Sequence, residues 1–230
     1  MDQFERTRLL LGEETLTLLQ NQKIAIIGIG GVGSYAAEAL ARLGILEMTL
    51  VDYDTIDITN LNRQLMTSYE NIGQKKVTVF EKRIQSYARD TKVHLIEDKL
   101  TEDNIRDVIP QDLDYIIDAC DTVSVKKELI RFAKRAKIKL ISVMGTGNKL
   151  DPSKLEIVDV MKTSYDPLAK IIRKMVKEEK LKGKVMVISS SEKPKPFHHP
   201  VASISFVPGA AGLLAASYIV NDVIKNANRK

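Results

Sequence analysis

A glycine-rich turn joins an apolar strand pattern to a helix pattern near the amino end of this chain. The apolar run at 24–27 leads into GIGGVGS, and small and apolar residues then recur at helical spacing up to Leu43. Glycines let the backbone approach a phosphate-bearing ligand, and the N–H groups at a helix start favour its negative charge. The turn therefore predicts a nucleotide site that includes Gly28, Gly30, Gly31 and Gly33.

An acidic residue at the end of the next strand pattern supports this prediction. Asp52 occupies a position where nucleotide-binding folds place a carboxylate that accepts hydrogen bonds from a ribose. Strand and helix patterns alternate up to Val143, which predicts an α/β fold with a Rossmann-like, doubly wound, mostly parallel sheet. Ligands of such sheets bind beyond the carboxyl ends of the strands, where Gly28, Asp52 and residues 118–122 all fall.

The alternation stops after Gly147. Two strand patterns, at 155–160 and 184–189, flank a helix pattern that Asp166 can cap and Pro167 can begin. This arrangement predicts a carboxyl-terminal α+β elaboration of the sheet.

A length of 230 residues suits one domain. We expect a nucleotide-binding part at 1–147 and an extension at 148–230 that faces the substrate and a second subunit. Three local expectations are one helix over 4–20, a helix from an N-cap at Thr101 to near Pro110, and a buried strand followed by a buried helix across 200–220.

Composition limits the class of protein only broadly. Hydrophobic residues make up 44% and charged residues 28%, as in ordinary globular proteins, and the net charge of +5 permits an anionic partner. The single cysteine, Cys120, excludes an internal disulfide and an all-cysteine metal cage. The first ten residues do not resemble a secretory signal. We expect a cytoplasmic protein, and peripheral membrane association stays open.

Three cations and one carboxylate favour ATP over a nicotinamide cofactor as the ligand. Arg63 and Lys76 follow the second strand pattern and could converge with Arg6 on a triphosphate, although each alone could equally be a surface cation. Asp121 follows the fourth strand pattern and could hold Mg²⁺, or it could cap the next helix.

Four segments together resemble a known superfamily. GIGGVGS, LVDYDTIDITNLNRQ, GQKK and DACDTV are similar to the motifs of the ThiF/MoeB/HesA proteins, relatives of the ubiquitin-activating enzymes. The resemblance covers residues 6–122. It implies ATP-dependent adenylation of a carboxylate, usually by a homodimer.

The resemblance also implies roles for the matching residues. Gly31 would hold the nucleotide and Asp52 its ribose, while Lys76 would neutralise charge at the α-phosphate. Asp121 would position magnesium. Arg6 would reach the triphosphate, in relatives from the neighbouring subunit. The other nucleotide-binding residues would be Asp54, Thr59, Asn60, Leu61, Asn62, Arg63 and Thr122, among which Asn60 and Arg63 matter most.

The carboxyl half resembles one branch of the superfamily, which acts on threonylcarbamoyladenosine in tRNA as a dehydratase. The segments are GTGNKLDPSKLEIVDVMKTSYDPLAKIIRK, VMVISSSEKP and SISFVPGAAGLLAASYIV. The branch implies that ATP activates the threonine carboxylate of this nucleoside beside the anticodon, after which its own ureido group closes a five-membered ring. No enzyme thiol is needed, and we interpret Cys120 as a packed residue.

The same resemblance sets the expected cofactors and partners. They are ATP, magnesium and tRNA that carries threonylcarbamoyladenosine, with a homodimer as the assembly and no DNA partner. A monovalent cation and a cysteine-desulfurase-type sulfur-relay protein are further expectations. One face of the helix after Pro167 is basic and would contact tRNA phosphates, or else it is only a solvated surface. Its residues are Lys170, Arg173, Lys174 and Lys177.

Other functions remain open at this stage. An adenylyltransferase for a ubiquitin-like sulfur carrier is the main alternative, although such enzymes typically carry zinc-binding Cys-x-x-Cys pairs that this chain lacks. A nicotinamide-dependent dehydrogenase would explain Asp52 but not Arg63 or Lys76. A catalytically silent nucleotide or tRNA sensor is a third alternative. The three histidines, His94, His198 and His199, have no assigned role.

Overall fold

One mixed sheet forms the centre of the protein. The computed structural model describes residues 2–196 and 201–227, and within these ranges seven strands pair in the order β3-β2-β1-β4-β5-β7-β6. The strands are β1 Lys23–Ile27, β2 Glu47–Val51, β3 Lys92–Ile96, β4 Tyr115–Asp118, β5 Lys139–Val143, β6 Leu155–Asp159 and β7 Met186–Ser190. Every pair is parallel except β6 with β7. The predicted α/β fold with a mostly parallel sheet is confirmed.

Helices cover both faces of this sheet. They are α1 Glu5–Leu11, α2 Glu13–Gln20, α3 Gly33–Arg42, α4 Lys76–Gln85, α5 Ile105–Val108, α6 Val123–Ala136, α7 Pro167–Glu178 and α8 Phe206–Ala227. Ile24 and Ile26 of β1 pack with α3, α4 and α8, whereas Ala25 and Ile27 pack with α5 and α6. Successive side chains of a strand point to opposite faces, so β1 is apolar throughout because both faces are buried.

The long helix α8 is apolar because much of it lies inside the protein. By length and composition it could cross a membrane, yet half of its most apolar window is buried in this fold. A Cβ atom at Gly212 would lie 2.2 Å from the carbonyl oxygen of Val32 and 2.9 Å from Cβ of Tyr35. Glycine therefore lets α8 approach α3 closely, and the expected buried helix is confirmed.

Two sequence-based helix boundaries are wrong. The single helix expected over 4–20 is divided at Gly12, whose φ of 79° lies outside the right-handed helical region. The helix expected to begin after Thr101 begins only at Ile105. The hydroxyl of Thr101 accepts a 3.3 Å hydrogen bond from the backbone N–H of Asn104. Residues 101–104 therefore form a turn that precedes the helix.

The buried strand expected at the start of 200–220 is also wrong within the described residues. Between Val201 and the start of α8 the chain has no strand. Two hydrogen bonds join Ala202 to Asn148. The N–H of Ala202 donates to the side-chain oxygen of Asn148, and the carbonyl oxygen of Ala202 accepts from the backbone N–H of Asn148. These bonds tie the segment to a loop instead of a sheet edge.

Candidate active site

A cavity of about 360 Å³ opens at the carboxyl ends of β1, β2 and β4. Three features that are separate in the sequence meet there. They are the glycine turn, the acidic end of β2 and the cationic segment that follows it. The predicted residues that line it are Gly28, Gly30, Gly31, Asp52, Asp54, Asn60, Arg63, Lys76, Asp121 and Thr122. Five other predicted residues do not line it, namely Arg6, Gly33, Thr59, Leu61 and Asn62.

The glycine turn needs its glycines for two separate reasons. Gly28 has a φ of 89°, and a Cβ atom there would lie 2.9 Å from the carbonyl oxygen of Ala119. A Cβ atom at Gly33, where α3 begins, would lie 1.8 Å from the carbonyl oxygen of Gly28. The turn can therefore fold back on itself and direct the positive end of α3 toward the cavity.

Asp52 is held in place by the backbone around it. One carboxylate oxygen accepts a 2.7 Å bond from the N–H of Ile29, and the other accepts a 2.9 Å bond from the N–H of Asp54. Burial raises the pKa of Asp52 above its ordinary value, and the nearby Lys76 opposes this shift. A buried carboxylate fixed in this way is suited to accept bonds from ribose hydroxyls.

Lys76 begins α4 and points its ammonium group at two carboxylates. Its Nζ atom lies 2.8 Å from Asp54 and 3.9 Å from Asp52, and its side chain is only 7% exposed. A buried lysine is stable only when its charge is compensated, which these carboxylates do. The same cation lies within the cavity that a nucleotide phosphate would enter.

The TNLNR segment presents Arg63 to the cavity. The guanidinium Nη1 donates to the carbonyl oxygen of Thr59 at 2.8 Å and to the side-chain oxygen of Asn62 at 2.9 Å. Asn62 in turn donates to the carbonyl oxygen of Ser203. Asn60 is buried and accepts from the N–H of Asp57. Thr59 and Asn62 therefore lie behind Arg63, in contact with its guanidinium.

Several residues that line the cavity were missed from the sequence. Gln64, directly after Arg63 in the TNLNRQ motif, is 6% exposed, and its side-chain oxygen has no hydrogen-bond partner among the described residues. Its position in that motif could have identified it as a site residue. Tyr53 lies in the LVDYD motif, and Thr146, Ser203 and Pro208 lie in the matching segments of the carboxyl half, whereas Asp98 and Leu100 come from a loop with no motif.

A buried ion pair supports the turn that carries Asp121. The Nζ atom of Lys126 lies 2.9 Å from Asp118, and both side chains are 0% exposed. Lys126 also donates to the carbonyl oxygen of Val143, and the hydroxyl of Ser142 donates to Asp118 at 2.5 Å. This network joins β4, β5 and α6 directly below residues 119–122. This network could not be predicted from the sequence, because Lys126 has no feature that distinguishes it from an exposed lysine of a helix.

Cys120 belongs to the same network. Its thiol donates to Asp118, and burial, together with the charge of Asp118, raises its pKa well above the ordinary value. The thiol is therefore neutral at physiological pH, which supports its interpretation as a packed residue.

The acidic side of the cavity suits a magnesium nucleotide. Asp54, Asp98 and Asp121 all line it, and the charge of Asp54, followed by burial and Asp121, raises the pKa of Tyr53. No cluster of three or more potential metal ligands occurs among the described residues. Mg²⁺ usually takes one or two carboxylates and completes its shell with phosphates and water. The donor set therefore fits that ion when a nucleotide is bound.

Arg6 lies outside the cavity of its own chain. It lines a groove between α1, α3 and α8 with Leu10 and Leu213. Leu10 is 83% exposed, Leu213 is 52% exposed, and α1 has no buried residue. The structure of one chain therefore does not bring Arg6 to the other site residues.

The basic face of α7 is exposed at three of its four predicted positions. Lys170, Lys174 and Lys177 are exposed, and Lys174 lies 3.7 Å from Glu178. Arg173 is half-buried and donates to the carbonyl and the hydroxyl oxygen of Thr163. His94 lies in β3, 3.3 Å from Glu47, whereas His198 and His199 lie outside the described residues.

The fold and the site define a class of protein. The family model of the ThiF family matches residues 4–229, and the chain belongs to that family. Within it the chain is 38% identical to the tRNA threonylcarbamoyladenosine dehydratase of Bacillus subtilis, over 100% of this chain and 98% of that protein. It is 40% identical to the Escherichia coli protein of the same name over 76% of this chain and 66% of that protein.

Solved structures give the same result. The E. coli tRNA N6-threonylcarbamoyladenosine dehydratase TcdA in complex with ATP has a TM-score of 0.93 and 35% identity, covering 99% of this chain and 96% of that one. The chain is 31% identical to the molybdopterin-synthase adenylyltransferase of Haemophilus influenzae, but this match covers only 54% of this chain and 51% of that protein.

Proposed function

We propose that this protein is an ATP-dependent tRNA threonylcarbamoyladenosine dehydratase. The observation that carries the proposal is the meeting of Arg63, Lys76 and Asp121 with the glycine turn in one cavity. A dehydrogenase has no use for this combination of charges, whereas an enzyme that splits ATP at its α-phosphate needs it. Similarity over nearly the whole length to a structure that contains ATP supports the same activity.

The reaction has two steps. A carboxylate oxygen of the threonine group attacks the α-phosphate of ATP, pyrophosphate leaves, and an acyl adenylate forms. An atom of the ureido group then attacks the activated carbonyl and loses its proton, and AMP leaves as the ring closes. One water is lost in total. Because the second nucleophile belongs to the substrate, the enzyme mainly orients reactants and neutralises charge.

Each cavity residue then has a role. Asp52 binds the ribose, the backbone of Gly28 to Gly31 lies against the nucleotide, and Arg63 binds phosphate. Lys76 stabilises the charge that develops at the α-phosphate. Asp121 holds magnesium, which supplies a positive charge that screens the phosphates when it is bound.

The active assembly is a homodimer in this proposal. Leu10 and Leu213 expose apolar surface beside Arg6 on the outer side of α1 and α8. A second copy seated on this surface would bury both leucines and would bring Arg6 to the triphosphate of the neighbouring site.

The tRNA contacts α7 in this proposal. Lys170, Lys174 and Lys177 present exposed charge to its phosphates, while Arg173 remains engaged with Thr163. We also propose a cytoplasmic location. A monovalent cation and a sulfur-relay partner rest on the family resemblance alone.

Pyrophosphate release tests the activity. ATP is supplied with tRNA that carries threonylcarbamoyladenosine, and release should depend on that modification. Arg63→Ala and Asp121→Ala should each abolish it. Release that needs a carrier protein ending in Gly-Gly, and that ignores modified tRNA, would instead support the sulfur-carrier adenylyltransferase.

A further inference from the structure

An exposed tyrosine just before α7 has a strained backbone. Tyr165 has a φ of 55°, in the left-handed region that residues with a Cβ atom rarely adopt, and its side chain is 64% exposed. Such strain persists only where neighbouring contacts determine the conformation, and it is common at sites of function. Nothing in the proposed chemistry yet uses this residue.

Contacts on both sides hold this strained backbone in place. On one side, Arg173 donates to Thr163 at 2.8 Å. On the other, Asp166 caps α7 by accepting from the N–H of Ala169 at 3.0 Å. The Nζ atom of Lys149 lies 3.3 Å from the Asp166 carboxylate, and the two side chains are 2% and 0% exposed. Tyr165 is therefore presented by a short segment that is fixed at both ends.

The same ion pair connects Tyr165 to the rim of the cavity. Lys149 also donates to the carbonyl oxygen of Gly145 at 2.5 Å, and a Cβ atom at Gly145 would lie 3.3 Å from Asp166. The next residue, Thr146, lines the cavity. The residue after Tyr165 thus contacts the loop that borders the proposed ATP site, and Tyr165 itself directly precedes the N-cap of the proposed tRNA helix.

We propose that Tyr165 is a stacking platform for an unpaired base of the RNA substrate, next to the base that enters the cavity. This inference rests on the proposed function. Proteins recognise single-stranded RNA by stacking its splayed bases on aromatic rings, with nearby cations on the phosphates. Tyr165 supplies the ring, and exposed Lys162 and Lys170 lie on either side of it in sequence. A ring carried on a fixed backbone loses less conformational freedom when it binds a base than one on a flexible loop does.

Three variants of Tyr165 separate stacking from other contributions. Tyr165→Phe keeps the ring, Tyr165→Leu keeps apolar surface without a ring, and Tyr165→Gly removes the side chain and relieves the φ strain. Dissociation constants are measured for an anticodon stem-loop RNA that carries threonylcarbamoyladenosine, and separately for ATP. Lys82→Ala, on the exposed side of α4, is the control, and thermal unfolding shows that each variant is folded.

Stacking predicts a ring-dependent result. Phe should bind the RNA as the wild type does, whereas Leu and Gly should weaken RNA binding about 5- to 150-fold, the effect expected for one stacked base. ATP binding should not change. A 2-aminopurine beside the modified adenosine should lose its protein-dependent quenching in the Leu and Gly variants.

Three outcomes would overturn either the stacking proposal or the proposed function on which it rests, and they are distinguishable. RNA binding by the Leu and Gly variants at wild-type strength would refute stacking, even if the wild-type enzyme releases pyrophosphate with modified tRNA. Absence of that release from the wild type would refute the proposed function itself. Equal weakening by Phe, Leu and Gly would show that the hydroxyl, and not the ring, makes the contact, which would also refute stacking.

Discussion

The ammonium group of Lys76 lies 2.8 Å from the carboxylate of Asp54 and within the cavity that Arg63 and Asp121 also line. Because the Lys76 side chain is nearly buried, Asp54 compensates its charge before a nucleotide is present. An α-phosphate that enters the cavity would compete with Asp54 for this cation. The pair therefore holds the Lys76 ammonium group at the place where phosphate charge would develop.

Replacing Lys76 should affect the chemical step more than ATP binding. We expect Lys76→Ala to slow pyrophosphate release about 10²- to 10³-fold, the usual effect of removing one group that stabilises transition-state charge. Single-turnover release and the ATP dissociation constant measure the two effects separately. Lys82→Ala on the same helix should behave as the wild type. A Lys76→Ala enzyme with an unchanged single-turnover rate would contradict this role.

Lys126 should be essential for stability because it is paired inside the protein. Removal of one partner of a buried pair costs about 3–5 kcal/mol, since the other charge is left uncompensated. We expect Lys126→Met to lower the free energy of unfolding by about that amount in urea titrations. The double variant Lys126→Met with Asp118→Asn should cost much less than the sum of the single changes. Additive costs would show that the two groups are not coupled.

Glu38 links α3 to α4 and gives a pH-dependent contribution to stability. Burial alone would raise its pKa, but hydrogen bonds from Arg83, Tyr87 and Arg42 outweigh burial and hold the pKa below the ordinary 4.5. A lowered pKa stabilises the fold above the unfolded-state pKa, and this stability is lost as pH falls through the folded-state pKa. Glu38→Gln should therefore cost about 1.5–3 kcal/mol at pH 7.

The difference in unfolding free energy between wild type and Glu38→Gln should shrink as the pH falls below about 4.5, the unfolded-state value. Urea titrations between pH 7 and pH 3 measure it. A difference that stays constant over this range would mean that the charge of Glu38 does not contribute.

The basic face of α7 should determine how tRNA binding responds to salt. Each lysine that contacts a phosphate adds about one unit to the slope of log affinity against log salt. The combined variant of Lys170, Lys174 and Lys177 to Ala should bind tRNA more weakly and with a flatter slope. In the matched control, three exposed cations elsewhere are replaced by Ala. These are Lys82, Arg89 and Lys92. Equal slopes for both variants would leave α7 as a solvated surface.

Mixed dimers can show whether Arg6 acts on the neighbouring subunit. Arg6→Ala and Asp121→Ala should each be inactive alone. If Arg6 reaches the other subunit, a mixed dimer of the two variants contains one intact site, and an equal mixture should recover about a quarter of wild-type activity. Recovery requires subunit exchange, which size-exclusion chromatography of differently tagged chains can verify. No recovery in exchanged dimers would place Arg6 on the site of its own chain, whereas an Arg6→Ala enzyme that is active alone would place Arg6 outside catalysis.

The part of the fold that repeats a simple pattern could be predicted from the sequence. The β4 strand, α6 and the Asp166–Pro167 start of α7 follow from apolar periodicity and capping chemistry. Gly12 could not be placed as a helix break, because a glycine inside a helical pattern is often tolerated. The segment before α8 is apolar but pairs with a loop, and such long-range pairing is not visible in local composition.

The site shows the same division. Residues in motifs, such as Asp52, Arg63 and Lys76, could be predicted to share one cavity because strand ends of a parallel sheet meet at one edge. The partners that fix them could not. Lys126 pairs with Asp118 only after α6 packs on β4, and Asp54 faces Lys76 only after α4 returns to the sheet.

The proposed reaction is the cyclisation of threonylcarbamoyladenosine in tRNA, with ATP split into AMP and pyrophosphate. One experiment tests it directly: purified protein, ATP, magnesium and tRNA with or without the modification, with AMP, pyrophosphate and the digested nucleosides quantified together. We predict equal amounts of AMP, pyrophosphate and a nucleoside lighter by one water, only with modified tRNA, and none with Asp121→Ala. An unchanged nucleoside, or equal AMP formation without the modification, would contradict the claim.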